Sequence, residues 1–354
     1  MQSRQAASCG VALVLIRFTK GSEEKKSMAG IKQKIMGWIS RSSYGNWFVH
    51  YLNLLAHDHN QREKKHITSR KEKIYFIIGY EDLQRSGWTV WERVVLYNCI
   101  YAADHGMIPV VDMRDHPSIY QEEKDFGKVN VWDTFYEQPA GVSLEEALAS
   151  GNYVLADISH EWFTYIRMRK PNKINEEDYL RENFAKYIRL KPSIAKICEE
   201  RLASIIPDKN PRSKLLGICI RGTDYKTFHH MKQPDVTDVM KEAVQVFHDY
   251  HCDYYFIATE DKSIFESVKT HLPNDKLLSY NAGTVDTTCG GLIGNHIREQ
   301  TSAYNAGLDY ITTLYILNRC SCLIGGLCGA TIVAKYRKNP AYEYVNVIDK
   351  HASY

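Results

Sequence analysis

What this chain lacks narrows its possible roles before any motif is read. No run of apolar residues is long enough to cross a bilayer. The uncharged stretch Cys9 to Ile16, between Arg4 and Arg17, is too short, and no small-residue cleavage site follows it. It reads as a loose extension, with Met28 as an alternative start, in preference to a secretory signal. Nine cysteines are scattered with no Cys-x-x-Cys pair and no His–Cys cluster at zinc spacing; Cys320 and Cys322 form only a Cys-x-Cys. Several sit in apolar runs, Cys219 and Cys322 among them, where a thiol acts as a small hydrophobe, and a reducing cytoplasm is the simplest home. A net charge of +3 is too small to argue for nucleic acid. No internal repeat or low-complexity tract breaks the chain.

What is present is an ordinary globular composition. Hydrophobic residues make up 44% and charged residues 25% of 354 positions, enough for two domains. Apolar residues at helical spacing (Ile31, Ile35, Trp38 and Ile39, then Phe48, Tyr51, Leu52 and Leu55) predict two helices over 29–60. Arg62 to Lys73 is basic and reads as a solvated linker or as a patch drawn to anionic lipid, which keeps peripheral membrane attachment open. Ile74 to Ile78, Gly87 to Asp104 and Ile108 to Val111 read as strand, helix and strand, the seed of a parallel sheet. Asp112 to Gln138 is long, irregular and aromatic. A short helix (Leu144 to Ala149), a strand (Tyr153 to Ala156) and two helices (Glu176 to Ile188, Ser193 to Ile206) follow.

Pro207 to Arg212, with two prolines and no apolar residue, is the best domain boundary. Beyond it, strands at 215–220, Tyr254 to Ala258, Lys276 to Tyr280 and Cys322 to Ile324 alternate with helices. One helix is marked by Val236, Val239, Met240, Ala243, Val244 and Phe247; others fall near Ser263 to His271, near Ser302 to Leu317 and from Gly329 onward. A glycine-rich loop, Asn281 to His296, intervenes. The pattern predicts an α/β protein with doubly wound parallel sheets: an N-terminal extension with helices over 1–70, a Rossmann-like domain over 71–208 and a second over 209–354.

The most informative stretch is Leu215 to Tyr225, LLGICI followed by RGTDY. A buried strand that ends abruptly in polar residues delivers them to the crevice at its carboxyl end. Arg221 would stand there as a permanently charged fork suited to phosphate oxygens. The bland alternative is an arginine paired with a nearby carboxylate such as Asp224.

RGTDY behind an apolar strand resembles the basic strand-end motif of the fucosyltransferase superfamily, which includes the α1,6-, α1,2- and protein O-fucosyltransferases and related bacterial polysaccharide enzymes. Two later stretches keep the family's order. Ala258-Thr259-Glu260-Asp261 follows the next strand. Asn305 to Leu308 then leads into Asp309, a helix, the strand at Cys322 and the turn Gly325-Gly326-Leu327-Cys328-Gly329-Ala330. The likeness covers residues 215–336.

The resemblance implies a GT-B glycosyltransferase, two Rossmann-like domains facing across a cleft, inverting, with a GDP-sugar as donor and GDP-fucose foremost. The acceptor would be a glycan hydroxyl in polysaccharide or lipopolysaccharide synthesis, on a lipid-linked or growing oligosaccharide. By the same resemblance Arg221 meets the diphosphate with Asp224 beside it. Asp261 lies in the guanine and ribose region, Asp309 helps hold the donor and its arginine, and Gly325, Gly326 and Gly329 approach the phosphates. His296 and Arg298 are weaker candidates to close over them. The loop bearing Gly79 and Gly87 resembles the acceptor-side loop, so Gly79, Tyr80, Trp88 and Asp112 are expected there. The aromatic stretch 112–138 suits a sugar surface or a flap packed on its own domain.

The chain contains no Asp-x-Asp, so neither a metal nor a further cofactor is expected; cationic side chains and helix N-termini would stabilise the leaving diphosphate instead. The departures from the family are specific. Cys219 stands where family members often carry His, and Gly222 where many have a second Arg. The region in which the α1,6 enzymes place an acid reads Phe228-His229-His230, and His229 is the candidate base. Each assignment has a plainer counterpart: the glycines as backbone necessity, Asp261 as a helix cap, the histidine pair as inert surface. Two rivals remain, a non-catalytic nucleotide- or glycan-binding protein of the same fold, and an NAD(P)-dependent oxidoreductase. The second is weakened because Gly326 and Gly329 match the last two glycines of G-x-G-x-x-G while Ile324 occupies the first.

Overall fold

Two sheets, each with a fully buried strand at its centre, organise the described part of the chain. The computed structural model describes residues 65–69, 72–79, 87–115, 118–156, 175–222, 225, 233–281, 283–286 and 293–349. The helices expected over 29–60 lie outside these residues.

The first sheet contains β1 (Lys65–His66), β2 (Tyr75–Ile78), β3 (Ile108–Val111) and β4 (Tyr153–Leu155) in the order β1-β4-β2-β3. β2 pairs in parallel with both β3 and β4, and β1 closes the edge antiparallel to β4. All four residues of β2 are buried, as a central parallel strand requires. Its side chains alternate between two helices. Phe76 meets Tyr101 of α1 (Trp88–Asp104), with ring centroids 5.4 Å apart. In the stretch after β3 lies the short helix α2 (Val131–Phe135), followed by α3 (Leu144–Ala149). Tyr75, Ile77 and Val110 pack on Leu144 and Ala147 of α3. Two further helices, α4 (Glu176–Tyr187) and α5 (Pro192–Ile205), lead into the second sheet.

That sheet is built from β5 (Leu215–Cys219), β6 (Tyr254–Ala258), β7 (Leu277–Ser279), β8 (Cys322–Gly326) and β9 (Tyr344–Ile348). Every pairing is parallel and the order is β7-β6-β5-β8-β9. The chain therefore grows outward from β5 to one side, then returns to begin again on the other. The crevice at the carboxyl ends of β5 and β8 is the topological switch point, where open α/β sheets bind ligands.

Helices cover both faces of this sheet. On one, Leu216, Ile218, Tyr255, Ile257 and Ile324 pack against Val239, Met240 and Ala243 of α6 (Val236–Asp249) and Ile264 and Val268 of α7 (Lys262–Lys269). α8 (Ile293–Gln300) precedes α9 (Ala303–Arg319), which lies on the other face. There α9 presses so closely that a Cβ on Gly217 would stand 3.1 Å from Leu317 Cδ2 and from Cys320 Sγ. The last helix is α10 (Gly329–Arg337).

All described residues belong to one compact unit, Gln61–Tyr354, and polar contacts, one of them fully buried, join the two sheets' helices. Glu92 of α1 is fully buried, accepts from Tyr136 Oη at 2.5 Å and pairs with Arg337 of α10. Lys335 of α10 pairs with Glu177 of α4 at 2.7 Å. Among the described residues no helix is long and apolar enough to cross a membrane.

The expected α/β architecture is present, and most strands fall where apolar runs placed them. Three local features differ from expectation, and one open alternative is decided. The basic stretch 62–73 contributes β1, because a sheet edge accepts polar residues that a centre would not. The glycine-rich loop shortens where α8 begins at Ile293. β9 was not foreseen: it is an edge strand whose residues are partly exposed, so its apolar signal is diluted. The aromatic stretch after Asp112 turns inward, burying Trp132, Phe135 and Tyr136 completely, which is the self-packed flap and not an open sugar surface at those three rings.

Candidate functional site

Arg221 lies two residues past the end of β5, where the sheet's hydrogen bonding stops and the chain is free to turn. Its Nη1 donates to Glu260 Oε2 at 3.0 Å, and the same carboxylate accepts from Gly222 N through Oε1 at 3.2 Å. The guanidinium also stands 5.2 Å from the centre of the Tyr225 ring. Glu260 follows β6, so neighbouring parallel strands supply cation and anchor. The pairing anticipated as the plain alternative thus exists, with Glu260 as carboxylate.

Across the switch point, β8 ends in a turn shaped by close approach. A Cβ on Gly325 would meet Cys219 O at 2.2 Å, and one on Gly326 would meet Gln233 Oε1 at 2.1 Å. Gln233 staples the two strand ends: Oε1 accepts from Arg221 N at 3.3 Å and Nε2 donates to Leu327 O at 3.0 Å. The N–H groups of the turn are partly spent. Leu327 N donates to Ile348 O at 3.0 Å and Cys328 N to Thr331 Oγ1 at 3.1 Å, while Cys328 Sγ caps the Thr331 N–H in return. Helix geometry leaves over the N–H groups of Gly329 and Ala330 at the start of α10.

A second helix begins at the same place. A Cβ on Gly329 would stand 2.4 Å from Thr89 Oγ1, in the first turn of α1. The Tyr310 hydroxyl lies beside Thr89 and the Tyr120 hydroxyl beside the backbone N–H of Trp88, and a Cβ on Gly87 would stand 3.3 Å from Tyr120 Oη and 3.6 Å from Tyr310 Cε1. Burial pushes both tyrosines well above the ordinary phenol range while Arg221 pulls them back, so both rings feel the guanidinium. Two helix N-termini and one fixed cation therefore come together beside Tyr120 and Tyr310 at the switch point. Such an arrangement suits a multiply charged anion.

The other sequence-predicted residues scatter. Asp261 is wholly buried and caps α7, with Oδ1 accepting from Ser263 N at 2.8 Å and Ile264 N at 3.2 Å. It stays beside the crevice, because a Cβ on Gly222 would meet its Oδ2 at 1.9 Å. Asp309 turns from the crevice to α5, accepting from Arg201 Nη1 at 2.9 Å and Tyr280 Oη at 3.0 Å. Its neighbour Tyr310 is the residue of α9 that faces Thr89. Arg298 pairs with Glu122 at 2.8 Å and donates to Thr301 O at 3.0 Å; His296 Nδ1 lies 3.7 Å from Glu299 Oε2.

On the first sheet, Gly79 follows the end of β2 half-buried, and Asp112 is engaged by Arg114 through two hydrogen bonds of 2.9 and 2.8 Å. Trp88 is 1% exposed and stacks on Tyr120 with centroids 4.8 Å apart, so it serves as packing beneath the crevice and offers no sugar platform. Tyr80, Asp224 and His229 lie outside the described residues. From sequence, Glu260 was seen only as part of the motif beside Asp261, and Tyr120 only as one aromatic residue of the stretch 112–138. Gln233, Tyr310 and Thr89 were not singled out and had no signal, since they meet the rest only through tertiary packing.

A cavity of about 550 Å³ opens beside the turn, bounded by Arg93, Glu177, Leu327, Lys335, Tyr336 and Asp349. It shares Leu327 with the switch point but contains neither Arg221 nor any sequence-predicted residue. Among the described residues no group of three or more His, Cys, Asp or Glu side chains is disposed to hold a metal ion.

No family model and no curated protein matches the chain. The solved structures it is similar to include fucosyltransferases. NodZ from Bradyrhizobium is 14% identical, with 79% of this chain and 96% of that one covered and a TM-score of 0.46. A variant of Arabidopsis thaliana FUT1 in complex with GDP is 10% identical over 90% and 79% of the two chains, TM-score 0.45. POFUT1 in complex with GDP is 9% identical over 77% and 98%, TM-score 0.40. Likeness this distant says nothing about the chemistry at Arg221.

Proposed function

We propose that this protein is an inverting, metal-independent glycosyltransferase that moves a sugar, L-fucose from GDP-fucose foremost, to a glycan hydroxyl. The observation that carries the reading is the convergence of Arg221 with the N-termini of α1 and α10 at the switch point of an all-parallel sheet. The leaving group of such a transfer is a nucleoside diphosphate, and its growing charge needs preorganised donors at one spot. The motif order from RGTDY to GGLCGA, resembling that of the fucosyltransferase superfamily, supports the choice of GDP-sugar.

In this reading the acceptor oxygen attacks the anomeric carbon as the bond to the β-phosphate oxygen breaks, and configuration inverts. Arg221 and the N–H groups of Gly329 and Ala330 meet the diphosphate. Asp224, Asp261, His296 and Arg298 are proposed only as neighbours of the donor, and Asp309 as support through α9. His229 takes the acceptor's proton. Residues 71–208 form the acceptor side, around Gly79 and Tyr80, and 209–354 the donor side, in a GT-B arrangement. We place the reaction in the cytoplasm, in polysaccharide or lipopolysaccharide synthesis, with any membrane association peripheral. The oxidoreductase alternative fits poorly, because the dinucleotide fingerprint belongs to the first βα turn of such a sheet, and here that turn reads Arg221-Gly222.

The direct test is transfer from GDP-fucose to oligosaccharide and lipid-linked acceptors in EDTA, read by product mass. Product should form with the native chain. Arg221→Ala, folded as judged by circular dichroism, should lose about 10²–10³ in rate, the usual cost of removing one charge-stabilising donor. Unchanged transfer by folded Arg221→Ala overturns the assignment.

A further inference from the structure

Two thiols meet under the crevice, and neither is used by the mechanism above. Cys219 is the last residue of β5, two before Arg221. Cys328 is the cap of α10, directly before Gly329. Their sulfurs are 3.9 Å apart, and the side chains are 2% and 1% exposed. Each cysteine therefore adjoins one of the three anion-binding elements, Arg221 or the start of α10. We propose that Cys219 and Cys328 form a reversible disulfide site closed by hydrogen peroxide, and that closing it disables anion binding at the crevice.

The reaction balances without any group the protein lacks. The Cys328 thiolate attacks one peroxide oxygen, the O–O bond breaks, and water leaves after one proton is taken up, giving a sulfenic acid. Cys219 attacks that sulfur, the S–O bond breaks and a second water leaves. Two thiols and one peroxide yield one disulfide and two waters. Cys328 is the suited nucleophile: the Cys219 thiol donates to it, Thr331 N–H and the Arg221 charge support its anion, and its pKa falls while that of Cys219 rises. Burial restricts the oxidant to a molecule little larger than water.

The consequence is mechanical. A disulfide is about 2.05 Å long, so closure draws the sulfurs together by nearly 2 Å, and Cys328 Sγ can no longer cap Thr331 N–H. Arg221 and the start of α10 then shift relative to one another. Misplacement of about 1 Å in such a site can cost on the order of a hundredfold. A second thiol pair, Cys252 with Cys322, lies at the opposite, amino end of the same sheet and serves as internal comparison.

The loss of anion binding rests on reading the crevice as the donor site; the disulfide itself does not. The test treats the full chain with hydrogen peroxide, blocks remaining thiols, digests without reduction and maps linked peptides by mass spectrometry. GDP affinity is measured by calorimetry before oxidation, after it and after dithiothreitol. We expect a Cys219–Cys328 link, GDP binding weakened about tenfold or more, and recovery on reduction; Cys219→Ser should show neither link nor response. No such link, or a Cys252–Cys322 link alone, overturns the site, and a link that leaves GDP affinity unchanged overturns the switch. If GDP binds neither form, the donor reading fails while the peptide map still decides the disulfide.

Discussion

Glu260 holds Arg221 and the residue after it at once: Oε2 accepts from the Arg221 guanidinium at 3.0 Å and Oε1 from Gly222 N at 3.2 Å. Both side chains are largely buried, at 17% and 12% exposure, so the pair is more than a surface contact. It fixes Arg221 in place but also sets a negative charge beside the proposed diphosphate. Glu260→Gln removes the charge and keeps one acceptor. GDP should bind more tightly, by up to about tenfold or ~1.4 kcal/mol, while transfer slows because the guanidinium is less fixed. Calorimetry and turnover on the same sample check this; weaker GDP binding would mean that orientation outweighs charge.

Gly222→Ala should destabilise the fold. The new Cβ would fall 1.9 Å from Asp261 Oδ2, and Asp261 has nowhere to go because it caps α7 through Ser263 and Ile264. Loss of a cap and overpacking each cost about 1–2 kcal/mol. Chemical denaturation should show a fall of roughly 2–4 kcal/mol on those grounds. A midpoint unchanged from the native chain would show that Asp261 is not held as described.

Glu92 and Arg337 form a buried ion pair between α1 and α10, and Tyr136 completes it. Glu92→Gln leaves the arginine charge buried without its counter-charge, at a cost of about 3–5 kcal/mol. Replacing both partners, as Glu92→Leu with Arg337→Met, should recover only part of that loss, because the apolar pair itself needs no counter-charge but leaves the buried Tyr136 hydroxyl without its acceptor. Urea denaturation of the single and double variants distinguishes the two outcomes. A single variant as stable as the native chain contradicts the pairing.

Glu122 should confer an acid-sensitive part of stability. The Ala303 N–H and then Arg298 hold its carboxyl below the ordinary value of 4.5, tying the aromatic flap to the start of α9. A carboxyl lowered on folding stabilises fully above its unfolded value, and that contribution is lost as pH falls through the lower folded value. Glu122→Gln should therefore melt below the native chain at pH 7, with the gap closing as the pH falls below 4.5 and through the lower folded value. A gap that stays constant with pH would assign the effect to packing alone.

The sequence made the second sheet readable because β5, β6 and β8 are buried on both faces, so each appears as an unbroken apolar run with polar residues at its carboxyl end. β1 and β9 were missed for the opposite reason, as edges that tolerate polar and charged positions. At the site, Arg221 and the glycines of the β8 turn were legible from local pattern. Their partners were not. Tyr310 looks like any helical tyrosine until α9 is docked, and Tyr120 sits in a stretch with no periodicity. Asp309 shows the limit most clearly: its motif position drew attention, yet the helix turns it toward Arg201 and brings its neighbour to the crevice.

The central claim is that the crevice at Arg221 receives a guanosine diphosphate. Thermal unfolding of the native chain and of Arg221→Ala with GDP, UDP, ADP and NADH, each with and without EDTA, tests it most directly. A ligand at a hundred times its dissociation constant adds about 2.7 kcal/mol to stability. The account predicts that GDP alone raises the native melting temperature, that EDTA leaves the shift unchanged, and that Arg221→Ala loses it. A shift with NADH and none with GDP, or a GDP shift that survives in Arg221→Ala, would contradict it.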